Sequence, residues 1–273
     1  MKTLNGILLL VLLLSCGDDN FRKVEKLSGF RVLGIKAANP EITDTNQLIN
    51  LELIVTDVNG GGRTVTGEVV SCLDPGVGYG AEVSCDHNPT VHPDLTIDFN
   101  VDIGSTSSYT GDISYPAITY PGNLITFRSD RDKFNGVAYL IIFTFNVDGN
   151  IHKAFKRIIV TTRSPNNNPS ISRLSVNGSL VDISAFPQDG DSLALLSDSP
   201  ETYTYRTVED IDEDRTEELQ VAWYISEGEL SRSKTYMGEE TEYEKNETTT
   251  NDSVVVAIVR DDRGGLDYKV YSP

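Results

Sequence analysis

The stretch VAYLIIFTFNVDGNIHKAFKRIIVTT, residues 137–162, decides the class of fold. Side chains of an extended chain point alternately to its two faces, so Tyr139, Ile141, Phe143, Phe145 and Val147 share one side. Asp148-Gly149 then supplies a two-residue turn, because both residue types tolerate the positive φ that tight hairpins demand. The returning arm carries Phe155, Ile158 and Val160 as its apolar set. Working outward, LINLELIVTD (residues 48–57) alternates as well, with Leu51, Leu53 and Val55 opposite Asn50, Glu52 and Ile54. No stretch beyond residue 29 sustains a helical period, and turn residues recur every ten or so positions. The pattern predicts an all-β sandwich. NGGGRTVTG (residues 59–67) is glycine-rich but lacks the Gly-Lys-Ser/Thr ending of a phosphate-binding loop, and is expected to be a hairpin loop between strands.

One segment breaks the strand pattern. In RSPNNNPSIS (residues 163–172), Pro165 and Pro169 bracket three asparagines, which marks residues 164–170 as a linker. The chain on its carboxyl side loosely repeats the chain on its amino side. RVLGIKAANP pairs with SRLSVNGSLV as an opening strand, QLINLELIVTD with GDSLALLSDSPE, and AYLIIFTFNVDGNIHKAF with SVVVAIVRDDRGGLDYKV as a closing hairpin. The expectation is two tandem modules, at residues 29–163 and 171–273.

The second module carries ELQVAWYISEGELS, with Trp223 on a strand in the manner of a core tryptophan. VAWYISEGELS followed by SVVVAIVRDDRGG resembles the central and penultimate strands of bacterial immunoglobulin-like, PKD-like or cadherin-like domains. Those show a W/Y-x-x-x-x-G strand and then a V-x-V-x-V-x-D-x-x-G strand. The resemblance covers residues 168–273. A D-F-G-D-G stretch typical of PKD domains is missing, so the broader immunoglobulin-like label fits better. It implies two tandem immunoglobulin-like β-sandwich domains of the adhesive or spacer kind, although fold alone does not set function.

The amino terminus adds a location. Lys2 and the apolar run of residues 7–14 read as a secretory signal, too short for the ~20 residues that a membrane-spanning helix needs. Leu13, Ser15 and Cys16 stand where a cleavage site belongs, and LLSC resembles the lipobox of bacterial lipoproteins. The resemblance implies cleavage after residue 15, a lipid on Cys16 with palmitate-type acylation, and a membrane partner reached through that anchor. Residues 16–28 would be a polar tether. Gly17 next to the cysteine, with Asp18 and Asp19 one place later, favours the outer membrane over the inner.

The 273 residues carry a formal net charge of −18, which argues against nucleic acid and against anionic lipid headgroups as partners. With Cys16 assigned to lipid, Cys72 and Cys85 remain as an even pair around a Gly/Pro-rich segment. A disulfide is expected in an oxidising compartment, stabilising by about 3 kcal/mol. The competing possibility is a metal site made of Cys72, Cys85, His87 and His92, against which the wide cysteine spacing argues.

No catalytic motif is found: the chain lacks G-x-S-x-G, H-E-x-x-H and a P-loop, so no enzyme and no resident cofactor is expected. His152 reads as a solvated surface side chain. In VEDIDEDRTEE, Asp210, Asp212 and Asp214 alternate within an acidic segment that would form an exposed loop and could offer oxygens to calcium, although the EF-hand pattern fails at Arg215 and Val221. A cadherin-like calcium site would instead sit at the module boundary, between NNNP and Asp261-Asp262. Tyr79, Tyr109, Tyr115 and Tyr120 are the candidates for a glycan-binding face. The sequence therefore points to a lipid-anchored envelope protein with a structural, binding or adhesive role towards a protein or glycan partner. The rivals are a calcium-stiffened adhesion module and a carbohydrate-binding or enzymatic lipoprotein.

Overall fold

The structure is a computed structural model that describes residues 24–43, 49–58, 60, 63–74, 82–86, 90–91, 97–100, 108–115, 125, 128–181, 187–198, 200–246 and 254–271. It is built almost entirely of β-strands in several sheets. The first half runs through β1 (Arg31–Ala37), β2 (Glu41–Ile42), β3 (Ile49–Thr56), β4 (Thr64–Leu73), β5 (Thr90–Val91), β6 (Ile97–Asn100) and β7 (Ser108–Tyr115). A six-residue helix, α1 (Asp130–Asn135), then leads into β8 (Val137–Val147) and β9 (Asn150–Val160). One sheet has the order β1-β3-β7. The other has the order β2-β9-β8-β4-β5, with β6 also on β4.

The second half contains β10 (Ile171–Val176), β11 (Ser179–Val181), β12 (Ser192–Ser197), β13 (Thr202–Arg206), β14 (Asp212–Thr216) and β15 (Gln220–Ile225). It ends with β16 (Glu229–Leu230), β17 (Lys234–Tyr236), β18 (Thr241–Glu244), β19 (Val255–Arg260) and β20 (Leu266–Tyr271). Its sheets are β11-β10-β12-β18-β16 and β17-β15-β19-β20, while β13 and β14 pair only with each other. The connections of the two halves run alike. β1 pairs with β3 as β10 pairs with β12, and β4 joins the β8–β9 hairpin as β15 joins β19–β20.

The hairpin of residues 137–162 has the expected turn, with Asp148 at φ 49° and Gly149 at φ 81°, so both central residues take the conformation a right-twisted hairpin requires. Tyr139, Ile141, Phe143, Phe145 and Val147 form one wall of the first core, facing Ile35, Leu51, Leu53 and Val55. Phe155 departs from expectation. Strand parity places Lys156, Ile158 and Val160 on the buried face, so Phe155 points out and is 44% exposed. His152 is half-buried with its ring edge-on to Phe30 rather than solvated. The glycine-rich segment, of which residues 59, 61 and 62 lie outside the described residues, does not join a hairpin: β3 and β4 lie in different sheets, and Arg63 pairs with the buried Asp57 carboxylate.

Trp223 sits at the centre of a second core with Leu195, Tyr243, Val255, Ala257 and Val259, and its Nε1 donates to Thr235 Oγ1 at 2.9 Å. A third apolar cluster joins the halves. Leu33 and Ile54, on the outer face of β1-β3, pack with Val254, Val256, Ile258 and Leu266 from the outer face of β19-β20. The sheets thus stack in four layers with three apolar seams between them. Leu27 joins the third seam and donates its N–H to Ile225 O, which is matched by Ile225 N–H to Glu25 O. Ordered structure therefore reaches back past Gly29, into residues expected to be tether.

Candidate functional site

Polar chemistry concentrates where the halves meet. β2 is only two residues long, yet its parallel pairing with β9 places Glu41 at the boundary, 2% exposed. The Glu41 carboxylate accepts from Arg263 Nη2 at 2.5 Å, Arg163 Nη2 at 2.8 Å and the main-chain N–H of Asn166 at 2.9 Å. Arg263, in the β19–β20 turn, also donates to Glu217 Oε1 at 3.2 Å. Burial first, and the nearby Asp261 second, push the Glu217 carboxyl up to about 7.

Residues 164–170 form no regular element, and their asparagines are bonded into both halves. Asn166 Nδ2 donates to Asp261 Oδ2 at 2.9 Å and Asn168 Nδ2 to Ala37 O at 2.7 Å, while Leu266 N–H donates to Asn168 Oδ1. Asn166 and Asp261, candidates for a boundary calcium site, are thus hydrogen-bonded to each other. Asp261 Oδ1 accepts from the main-chain N–H groups of Arg263 and Gly265, so its oxygens are committed to N–H donors.

The β13–β14 arm reaches across from the second half. Asn135 at the end of α1 donates to Arg206 O and accepts from Arg206 N–H, and the Arg206 guanidinium lies 4.2 Å from the Phe134 ring centroid. Tyr203 on this arm lies under both Arg163 and Arg263. Between arm, β9 and the β19–β20 turn runs a cleft of about 620 Å³, lined by six basic side chains and three carboxylates. Lys156 lies in its wall, 8% exposed, donating to Gly264 O, and burial lowers its ammonium pKa to about 8.

Cys72 and Cys85 are joined in a disulfide, with Cα atoms 5.7 Å apart, packed against Leu140 and Ile142. The acidic segment is not a loop: Asp212 and Asp214 lie on β14, and Asp210 occupies the turn of the arm at φ 58°. Asp212 is held by Arg206 at 2.7 and 3.1 Å, and Asp214 accepts from Thr204 Oγ1 at 3.1 Å. Among the described residues no group of three or more His, Cys, Asp or Glu is placed to hold a metal ion. Cys16, His87, His92, Tyr79 and Tyr120 lie outside the described residues, and of Tyr109 and Tyr115 only the β7 backbone is described. Glu41, Arg163, Lys156 and Arg263 had no motif to announce them. The available signals were a lysine at an inward strand position and an arginine after Asp261-Asp262 in a hairpin turn.

No family model and no curated protein matches the chain. Solved structures with some likeness include red sea bream transglutaminase, at 10% identity and TM-score 0.27, over 91% of this chain and 32% of that one. A Salmonella alpha-2-macroglobulin mutant (8% identity, TM-score 0.27) is covered over 17% of its length by 93% of this chain. The native E. coli alpha-2-macroglobulin (9%, 0.27) is likewise covered over 17% by 94%. The chain spans a third or less of these proteins.

Proposed function

We propose that the chain is a lipid-anchored protein of the cell envelope, held through Cys16, whose two immunoglobulin-like sandwiches act as one rigid, non-catalytic binding or spacing body. The observation that carries the reading is the boundary: a buried Arg163–Glu41–Arg263–Glu217 network beside an apolar seam fuses modules that a plain spacer would leave hinged. Strand order supports the immunoglobulin-like assignment, since both halves set an opening-strand sheet against a sheet built on the closing hairpin. Mass spectrometry of the mature amino terminus is expected to find diacylglyceryl and acyl groups on Cys16, and an unmodified Cys16 or cleavage elsewhere defeats the anchor. Protease treatment of intact cells distinguishes a surface body, which is digested, from one facing the periplasm.

Stiffening here comes from guanidinium groups. In a cadherin-like arrangement a cation would bind the boundary carboxylates, but the Glu41 and Asp261 oxygens already accept from arginine, asparagine and main-chain donors. Thermal melts in calcium and in chelator are expected to give equal midpoints, and a midpoint raised by calcium would restore the calcium-stiffened alternative.

A further inference from the structure

The cations of the boundary cleft are not all held in the same way. Arg163 and Arg263 are paired with Glu41, Arg263 also with Glu217 and Glu201, Arg157 with Asp74 and Arg215 with Glu213. Lys156 and Arg260 are different. Lys156 donates to Gly264 O and Arg260 to Leu33 O, both main-chain carbonyls, and neither has an ion-pair partner among the described residues. They are neighbours, because the charge of Arg260 disfavours the ammonium of Lys156. Asp261 is near enough to favour that ammonium, but its oxygens are occupied by N–H donors. A third donor is idle: Arg163 Nε is buried with no hydrogen-bond partner among the described residues, on a side chain only 8% exposed. Buried cations and orphaned donors carry a desolvation cost that an anion would offset. This happens in a chain whose carboxylates outnumber its basic residues 41 to 23.

The cleft also has apolar walls, including Phe155 and Ile159 from β9 and Tyr203 and Tyr205 from the arm, and its size falls within the range of small-molecule sites. We propose that this cleft binds a small organic anion, a phosphate or carboxylate carried on an aromatic or apolar body, with Lys156, Arg260 and Arg163 Nε as its receptor. The site is independent of the lipid anchor and of any adhesive role.

Pyridoxal phosphate is a suitable probe, joining an anion, an aromatic ring and an aldehyde. The Lys156 amine attacks the aldehyde carbon, the carbonyl oxygen leaves as water and a C=N bond forms. Borohydride then delivers hydride to that carbon, the nitrogen takes a proton, and a stable secondary amine remains for peptide mass mapping. The lowered ammonium pKa leaves part of the amine unprotonated near pH 8. With the full chain in detergent, Lys156 is expected to be labelled ahead of exposed lysines such as Lys234. Inorganic phosphate or benzoate at ten times its dissociation constant should reduce that labelling about tenfold, while benzamide should not. Protection by phosphate alone assigns a phosphate ligand, and protection by benzoate alone a carboxylate. A parallel melt of the K156M variant with each anion should show a smaller midpoint rise than the parent chain. Labelling spread over exposed lysines, or Lys156 labelling that neither anion suppresses, overturns the proposal.

Discussion

Glu41 accepts from two guanidinium groups and a main-chain amide while almost wholly buried, so its removal strands the Arg163 cation in a low-dielectric site and leaves Arg263 to Glu217 and Glu201 alone. Breaking a buried pair by deleting one partner costs about 3–5 kcal/mol. Glu41→Ala is expected to lose stability of that size in urea unfolding, and a loss below about 1 kcal/mol would show that the network is not held as described. Glu217 gives the boundary a pH response. Its folded pKa, about 7, lies above the ordinary value of 4.5, so the folded state binds the extra proton between those limits. Its contribution is full below pH 4.5 and is lost as pH rises through 7. Lys156 runs the other way: with a folded pKa of about 8 against 10.5, its penalty is full below pH 8 and is relieved as pH rises towards 10.5. Melts from pH 5 to pH 8 should fall for the parent chain and fall less for E217Q. An equal slope in both would exclude Glu217 as the source.

Among elements, the hairpin of residues 137–162 was the most legible, because alternation and an Asp-Gly turn fix strand, face and register together. Its returning arm is less legible at Phe155, because two basic residues, Lys156 and Arg157, hide the parity that Ile158 and Val160 set. The acidic segment misled for a similar reason. Strand β14 buries none of its five residues, so no apolar alternation announces it, and cross-strand pairs such as Arg206–Asp212 hold it instead. Cysteine counting did find the Cys72–Cys85 bond, which ties β4 to residues 82–86. A C72S/C85S double variant is expected to lose about 3 kcal/mol, read as a lower urea midpoint. The β19–β20 turn is packed tightly enough to be tested by one methyl group. A Cβ on Gly265 would lie 2.2 Å from Asp261 Oδ2 and 2.9 Å from Pro169. Gly265→Ala should therefore destabilise by about 1–3 kcal/mol, with amide exchange in residues 164–170 accelerated first.

At the scale of the whole molecule, the faint repeat predicts two modules but carries no sign of the contact between the sheets of the first and second halves. A sequence repeat reports what each half shares, whereas a contact between unlike faces leaves only single apolar residues at positions that should be polar. Ile54 and the unbroken run of residues 254–259 were such positions: strands buried on both faces lose their alternation. Because the seam and the ion network span both halves, calorimetry should show one cooperative transition. Two separated peaks would mean that the halves unfold independently.

The bonds between residues 25–27 and Ile225 carry a consequence for how the protein would stand on a membrane. They fix the chain's entry at the seam, beside β15, and leave nine links between Cys16 and Glu25. At full stretch these span roughly 30 Å. An anchored molecule would be moored at its waist on a short leash, with both halves held beside the bilayer instead of one standing above the other. Whatever it meets would come to it within that narrow layer.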